Sequence, residues 1–288
     1  MIPAQNIIAW SKRAPWAEQR QVEQDLIISR ALVELFNDDF LKNELRFRGG
    51  TALNKLHFPK PLRYSEDIDL VRTTEGPIGP ILDRTREILE PWLGKANFKQ
   101  SKVAPKLYFT AEAEDKSAPI RLKLEINTWE REAFGGSTFK PFAVENPWFT
   151  GKAEIHAFSN EEVLATKVRA LLQRDKGRDL IDLSHALTTF SGLDVKKTVE
   201  LTRRYLELAE TPISRAQAEE RMFAKLGNRG FLADVRPLLT AEEADRFNDN
   251  AGRDAFSNVF ATFIANFPGD PWAKTPDMLK RFGFDAVG

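Results

Sequence analysis

At 288 residues, 42% of them hydrophobic and 29% charged, the chain has the make-up of one large or two modest globular domains, with nothing to suggest disorder or a fibre. Its 42 Lys and Arg balance 42 Asp and Glu, so no global basic field marks it for nucleic acid, while a local basic cleft stays open. The absence of cysteine excludes disulfides, thiol catalysis and cysteine-type zinc sites.

Three histidines, His57, His156 and His185, are too scattered for a metal-ligand motif and read as structural. No signal peptide is evident, and no apolar run approaches the ~18 residues of a membrane helix. The expectation is a soluble, cytoplasmic protein without membrane partners.

In chain order, residues 1–17 carry Pro3, Trp10, Pro15 and Trp16 and read as a packed arm with little regular structure. Residues 19–37 place Ile28, Ala31, Leu32, Leu35 and Phe36 at helical spacing. A short strand is expected over 45–48 and a short helix over 51–57. Pro59 and Pro61 then stiffen the path to Arg63. A strand over 67–71 follows, then a Gly/Pro loop at 76–80 and an amphipathic helix over 81–90. Strands are expected over 107–112 and 120–127, joined by a polar turn at 114–117. Residues 135–148 read as an aromatic loop without an assignable role, and 153–158 as a last strand. Ser159 to Glu162 has the form of a capping box. Everything beyond reads as helical, broken near Gly192, Pro212, Gly227 and Gly230, so a domain boundary is placed between 158 and 159.

The chemistry concentrates in residues 47–70, FRGGTALNKLHFPKPLRYSEDIDL. Gly49 and Gly50 allow a sharp turn and close approach to a ligand. A helix opening there offers free N–H groups to a triphosphate. If 67–71 is a strand, its period of two puts Asp67 and Asp69 on one face and Ile68 and Leu70 on the other. Paired carboxylates repel and call for a cation, and Mg²⁺ suits them. A lone Asp-x-Asp is common and equally describes a solvated strand edge. Joined to the glycine turn, it forms the two halves of a nucleotidyltransferase site.

The helix after Ser159 aligns Val163, Lys167, Ala170 and Arg174 on one face, where two cations could lie against a triphosphate or simply be solvated. Leu164, Val168 and Leu171 form its buried stripe. Beyond Gly177, Asp179 and Asp182 can share a helix face, and Arg178 could pair with Asp182 for ~0.2–0.5 kcal/mol.

Three blocks in this order, GGTAL, RYSEDIDL and KVRALLQRDKGRDLIDL at 167–183, closely resemble the AbiEii/AbiGii toxin family, which includes the MenT-like enzymes. The resemblance covers roughly residues 20–190. It implies an α+β fold: a nucleotidyltransferase-like part over 1–158, with a mixed sheet flanked by helices, then a helical part over 159–288 that completes the active site. It implies a nucleotidyltransferase that is the toxin of a bacterial toxin–antitoxin or phage-defence system. The substrate would be a nucleoside triphosphate, the cofactor Mg²⁺ or Mn²⁺, and the acceptor an RNA, the 3′ end of tRNA. A cognate antitoxin would be a partner.

The match carries Lys167 to the family's nucleotide-contacting lysine and Asp182 to its second acidic residue. Asp67, Asp69, Lys167 and Asp182 are thus the expected catalytic residues. Gly49, Gly50, Thr51, Ser65 and Lys167 are the expected nucleotide contacts. Asp67 and Asp69 would hold metal. Glu125 either joins them from a neighbouring strand or lies on the wet face of an ordinary strand. The chain departs from the usual Gly-Ser pattern: Thr51 could stand in for the serine, or Ser65 could share its work. Two alternatives stay open, a protein or small-molecule acceptor and a catalytically silent nucleotide-binding protein. Arg203, Arg204, Arg215, Arg221, Lys225 and Arg229 could form a basic face for RNA, or an ordinary surface salted with Glu207, Glu210, Glu219 and Glu220.

Overall fold

The computed structural model describes residues 2–284. The chain divides into two compact units, Met1–Phe158 and Ser159–Gly288. Its architecture is α+β.

The first unit opens on a helix, α1 (Ala4–Trp10), where the sequence suggested irregular chain. Its cause lies in packing. Trp10 and Trp16 are buried, and their indole N–H groups donate to the two carboxylate oxygens of Asp25 at 2.8 and 3.3 Å. Asp25 belongs to α2 (Gln19–Phe36), and Lys55 pairs with it at 2.9 Å. The Asp38 side chain caps α3 (Asp39–Glu44) by accepting from the Leu41 N–H.

Strand β1 (Leu45–Arg48) then runs straight into α4 (Gly49–Ala52), which continues as one π-helical turn over Leu53–His57. The helix therefore begins at the glycines, two residues before the predicted start. β2 (Asp67–Arg72) follows, then α5 (Gly79–Leu93). Pro80 sits in the first turn of α5, where a missing N–H costs nothing. The remaining strands are β3 (Asn97–Lys99), β4 (Lys106–Ala111), β5 (Ile120–Asn127), β6 (Ser137–Asn146) and β7 (Phe149–Phe158).

Most of the expected aromatic loop is β6. It pairs with β7 in an unbroken antiparallel register from Ser137↔Phe158 to Asn146↔Phe149. Pro141 disguises the strand in the sequence. It is tolerated because β6 is an edge strand, where no neighbour needs its N–H.

The sheet order is β3-β4-β5-β2-β1-β7-β6. β1 is antiparallel to β2 and parallel to β7, and β2 is parallel to β5. Phe47, Ile68, Leu70, Leu107, Phe109, Leu122, Leu124 and Ile126 are buried in the core, and α2 and α5 pack on the sheet. Period-two alternation sends the intervening residues to the opposite face.

The second unit is helical: α6 (Asn160–Gln173), α7 (Gly177–Thr189), α8 (Val195–Leu208), α9 (Arg215–Gly227), α10 (Ala241–Arg246), α11 (Asp249–Thr262) and α12 (Thr275–Phe282). Ser159 caps α6 by accepting from the Glu162 N–H at 3.2 Å. The Glu162 carboxylate is itself buried and accepts a hydrogen bond from the Tyr205 hydroxyl of α8. α6 packs on α7 and α8, and α7 on α11. Among the described residues, no helix is long and apolar enough to cross a membrane.

Candidate active site

In the first unit the polar face of the sheet is built by register. Asp67 lies opposite Lys123, and Asp69 opposite Glu125, on the parallel strands β2 and β5. Asp69 also lies opposite Arg48 of β1. Lys123 Nζ is 2.7 Å from Asp67 Oδ2 and 3.5 Å from Glu125 Oε2, and Lys106 of β4 reaches the same Glu125 oxygen at 3.0 Å. Arg48 pairs with Glu130. Burial pushes both Asp carboxyls up. For Asp69 the charge of Asp67 adds to the rise; for Asp67 the hydrogen bond from Lys123 opposes it. Burial works against charge on Lys123 as well, but its bond to Asp67 together with the charges of Asp67, Asp69 and Glu125 outweighs this and raises it.

The glycine pair meets this face directly. Gly49 has φ +82°, and a Cβ there would fall 2.4 Å from Asp69 Oδ2. A Cβ on Gly50 would fall 2.6 Å from Arg63 Nη2 and 3.4 Å from Ser65 Oγ. Glycine is required at 49, where φ is positive and the Asp69 side chain lies against the turn, while at 50 it lets the opening of α4 sit close to the Arg63 guanidinium. Asn54 fixes the approach: its amide N–H donates to the Gly50 carbonyl, and its oxygen accepts from the N–H groups of Leu62 and Arg63.

Thr51 differs from its expected role. It is buried, its hydroxyl donates to the Asp67 carbonyl, and its oxygen lies 2.8 Å from Ser65 Oγ. It ties the glycine turn to the start of β2 from within. Ser65, only half-buried, is the hydroxyl beside Gly50.

The donor chemistry of Asp67 and Asp69 fits a hard divalent cation such as Mg²⁺ or Mn²⁺. Both are oxygen ligands on one face, and their repulsion and desolvation are costs that a divalent charge removes. Glu125 stands beside Asp69 but is engaged by two lysines. Among the described residues, no group of three His, Cys, Asp or Glu side chains is gathered to hold a metal.

In the second unit, Asp179 and Asp182 share a face of α7 and are fully buried. Lys167 of α6 is 5% exposed and lies between them, 3.0 Å from Asp179 Oδ1 and 2.9 Å from Asp182 Oδ2. Arg174, just past the end of α6, forks onto Asp179 at 2.7 and 2.9 Å. Burial works against the charge on Asp179, yet Lys167 and Arg174 hold its carboxyl well below the usual range. Arg178 pairs with Asp234 at 3.9 Å, so the expected Arg178–Asp182 contact gives way to Lys167–Asp182. Gly177 N–H donates to Asp234 as well, and a Cβ on Gly177 would strike the Phe231 carbonyl at 2.6 Å.

The family described as nucleotidyl transferase AbiEii toxin, type IV toxin–antitoxin system, matches residues 30–262. The chain belongs to this family. It is a nucleotidyltransferase of the toxin type. In three dimensions it resembles MenT4, the nucleotidyltransferase toxin Rv2826c from Mycobacterium tuberculosis H37Rv, with a TM-score of 0.64 at 17% identity over 100% of this chain and 98% of that one. It also resembles JHP933 from Helicobacter pylori, with a TM-score of 0.51 at 18% identity over 93% and 97% of the two chains. At these identities the likeness is one of fold. No curated protein matches the chain by sequence.

Within this AbiEii chain, β1, α4 and β2 bring Gly49, Gly50, Ser65, Asp67 and Asp69 together, while Lys167 and Asp182 meet in the helical unit. Sequence reasoning missed Lys123. Its pairing depends on the β2–β5 register that sets it against Asp67, which no local pattern reveals. The proposed basic face of the helical unit is largely consumed internally. Arg221 donates to the Leu172 carbonyl at 3.1 Å, and Lys225 is buried against Asp175 and the Arg174 carbonyl. Arg215 pairs with the buried Glu219 at 2.7 Å, and Arg203 with Glu207 at 3.5 Å.

Proposed function

We propose that this protein transfers a nucleotide from a nucleoside triphosphate to an RNA acceptor, the 3′ end of tRNA. It would act in the cytoplasm as the toxin of a toxin–antitoxin or phage-defence system, with a cognate antitoxin as partner. The observation that carries the chemistry is the close fit of Gly49 against Asp69, beside Gly50 and Ser65. The resemblance to MenT-like enzymes carries the acceptor.

In this reading Gly49, Gly50 and Ser65 present N–H and hydroxyl groups to the phosphates, and Thr51 holds the turn to β2. Asp67 and Asp69 would hold the divalent cation, which when bound screens the phosphates and lowers the pKa of the attacking hydroxyl. The acceptor hydroxyl displaces pyrophosphate at the α-phosphorus, and its proton passes to solvent or to a carboxylate. Lys167 is assigned, on the family match, to charge on the departing pyrophosphate. Asp182 orients it, and with Asp179 takes two of its three N–H donors.

The test is transfer of label from each of the four nucleoside triphosphates, in the presence of Mg²⁺, total tRNA and a protein extract. Label on RNA with wild type, and a fall of about 10³ or more with Asp69→Asn at unchanged or raised thermal stability, is expected. Label on protein alone overturns the RNA acceptor. Wild-type transfer by Asp69→Asn overturns the assignment of the carboxylate pair.

A further inference from the structure

Charges on the polar face of the first unit alternate across three strands: Lys106 on β4, Glu125 and Lys123 on β5, Asp67 on β2. Lys123 is the hinge of this row. Its side chain is 26% exposed, and Asp67 takes its ammonium at 2.7 Å, the tightest of its two ion pairs. A divalent cation on Asp67 and Asp69 cannot share Asp67 Oδ2 with an ammonium at that distance, because two like charges would then face each other across one oxygen.

We infer that Lys123 is a built-in competitor for the divalent cation: it neutralises Asp67 in the ligand-free protein, leaves that carboxylate when the cation enters, and then meets the triphosphate. The proposal rests on the reading that Asp67 and Asp69 hold the metal. A lysine suits such a move. Its charge is a compact point on a flexible four-carbon stem, whereas an arginine fork would lock onto the carboxylate. Glu125 offers a place to turn to, since it already lies 3.5 Å from the ammonium and is itself steadied by Lys106.

Two consequences follow. Metal alone must bind weakly, because it breaks an existing ion pair. Metal together with nucleotide must bind better than either alone, because the released ammonium gains a phosphate partner. That synergy is a coupling free energy, and removal of Lys123 should abolish it.

The experiment measures Mn²⁺ binding to the whole protein by electron paramagnetic resonance, without nucleotide and then with a non-hydrolysable triphosphate analogue. The proteins are wild type, Lys123→Met, Lys123→Gln, Lys123→Arg and Asp67→Asn. Without nucleotide, the Met and Gln variants should bind Mn²⁺ about tenfold tighter than wild type, equivalent to about 1.4 kcal/mol. Lys123→Arg, which keeps the competing charge, should not gain affinity. With the analogue, the Met and Gln variants should show little or none of the mutual enhancement seen in wild type. Two uncharged variants of different shape guard against a local packing defect, and circular dichroism confirms that each is folded. Asp67-dependent Mn²⁺ binding that is no tighter in either uncharged variant overturns the inference and leaves the metal reading standing. Equal Mn²⁺ binding by wild type and Asp67→Asn overturns the metal reading and the inference with it.

Discussion

On β2, Asp67 and Asp69 share a strand face with Lys123 against one of them, and burial drives both carboxyls up. On α7, Asp179 and Asp182 share a helix face around Lys167, with Arg174 added, and the Asp179 carboxyl is driven down. Both places hold two aspartates at short spacing. What differs is the supply of cations. The helical cluster is charge-balanced, with both carboxylates fully buried and Arg174 half in solvent, so its ions support the fold whatever else Lys167 does. The strand pair is under-neutralised, and its lysine partner is only half-buried. The two places thus differ in how fully their carboxylates are neutralised by the fold itself.

Substitution should expose that difference most strongly at Lys167. Lys167→Ala leaves two fully buried carboxylates without their shared counter-charge, and breaking a buried pair in this way costs about 3–5 kcal/mol. Arg174→Ala should cost less, about 1–2 kcal/mol, because half of its side chain is in solvent and Lys167 remains. Urea unfolding of both variants measures the contrast. Asp69→Asn, by the opposite logic, should unfold no earlier than wild type. Equal losses for Lys167→Ala and Arg174→Ala would show that the cluster is not centred on the lysine. An activity loss by Lys167→Ala is interpretable only alongside its stability.

The pH dependence of stability should also mark the helical cluster. An acid whose folded value lies below its unfolded one stabilises the fold at any pH above the unfolded value, near 3.9 for aspartate, as an order of magnitude. The contribution of Asp179 is therefore complete at neutral pH and disappears as pH falls through its depressed folded value. Wild type should lose thermal stability steeply below about pH 4, whereas Asp179→Asn, already less stable at pH 7, should fall along a shallower curve. Parallel curves for the two proteins would show that Asp179 is not held by its cations.

Much of this was legible before any coordinates. The strand over Asp67–Arg72, the Ser159 cap and the shift to helices beyond it follow from period, cap chemistry and composition. What escaped was set by partners distant in sequence. α1 forms because two tryptophans find Asp25, which no local pattern announces. β6 hid behind Pro141, whose meaning depends on the strand being at an edge. Lys123 gains its meaning only from the register with β2, which sets it against Asp67. Arg221 and Lys225 looked like free cations until Leu172, Arg174 and Asp175 were found to receive them.

A substitution in the glycine turn ties backbone to chemistry. Gly49→Ala places an L side chain at φ +82°, in the left-handed region, at a cost of about 1–2 kcal/mol. Its Cβ would lie 2.4 Å from Asp69 Oδ2, so the carboxylate or the turn must shift. Asp69 is on a central strand, paired on both sides, so its backbone holds while its carboxylate and the turn share the shift. On the proposed reading, a displacement of this order between the backbone assigned to phosphate and the carboxylate assigned to metal should cost about 10²-fold in nucleotide transfer, since positioned groups lose most of their advantage within about 1 Å. Gly177→Ala supplies the matched control from the helical unit. Its Cβ strikes the Phe231 carbonyl, which is backbone and cannot swing aside, so it should lower the melting temperature at least as much as Gly49→Ala does. Mn²⁺ affinity separates the two. It should fall in Gly49→Ala, whose clash is with Asp69 itself, and hold in Gly177→Ala. A Gly49→Ala protein with wild-type transfer and wild-type Mn²⁺ affinity would show that the glycine is there for the turn alone.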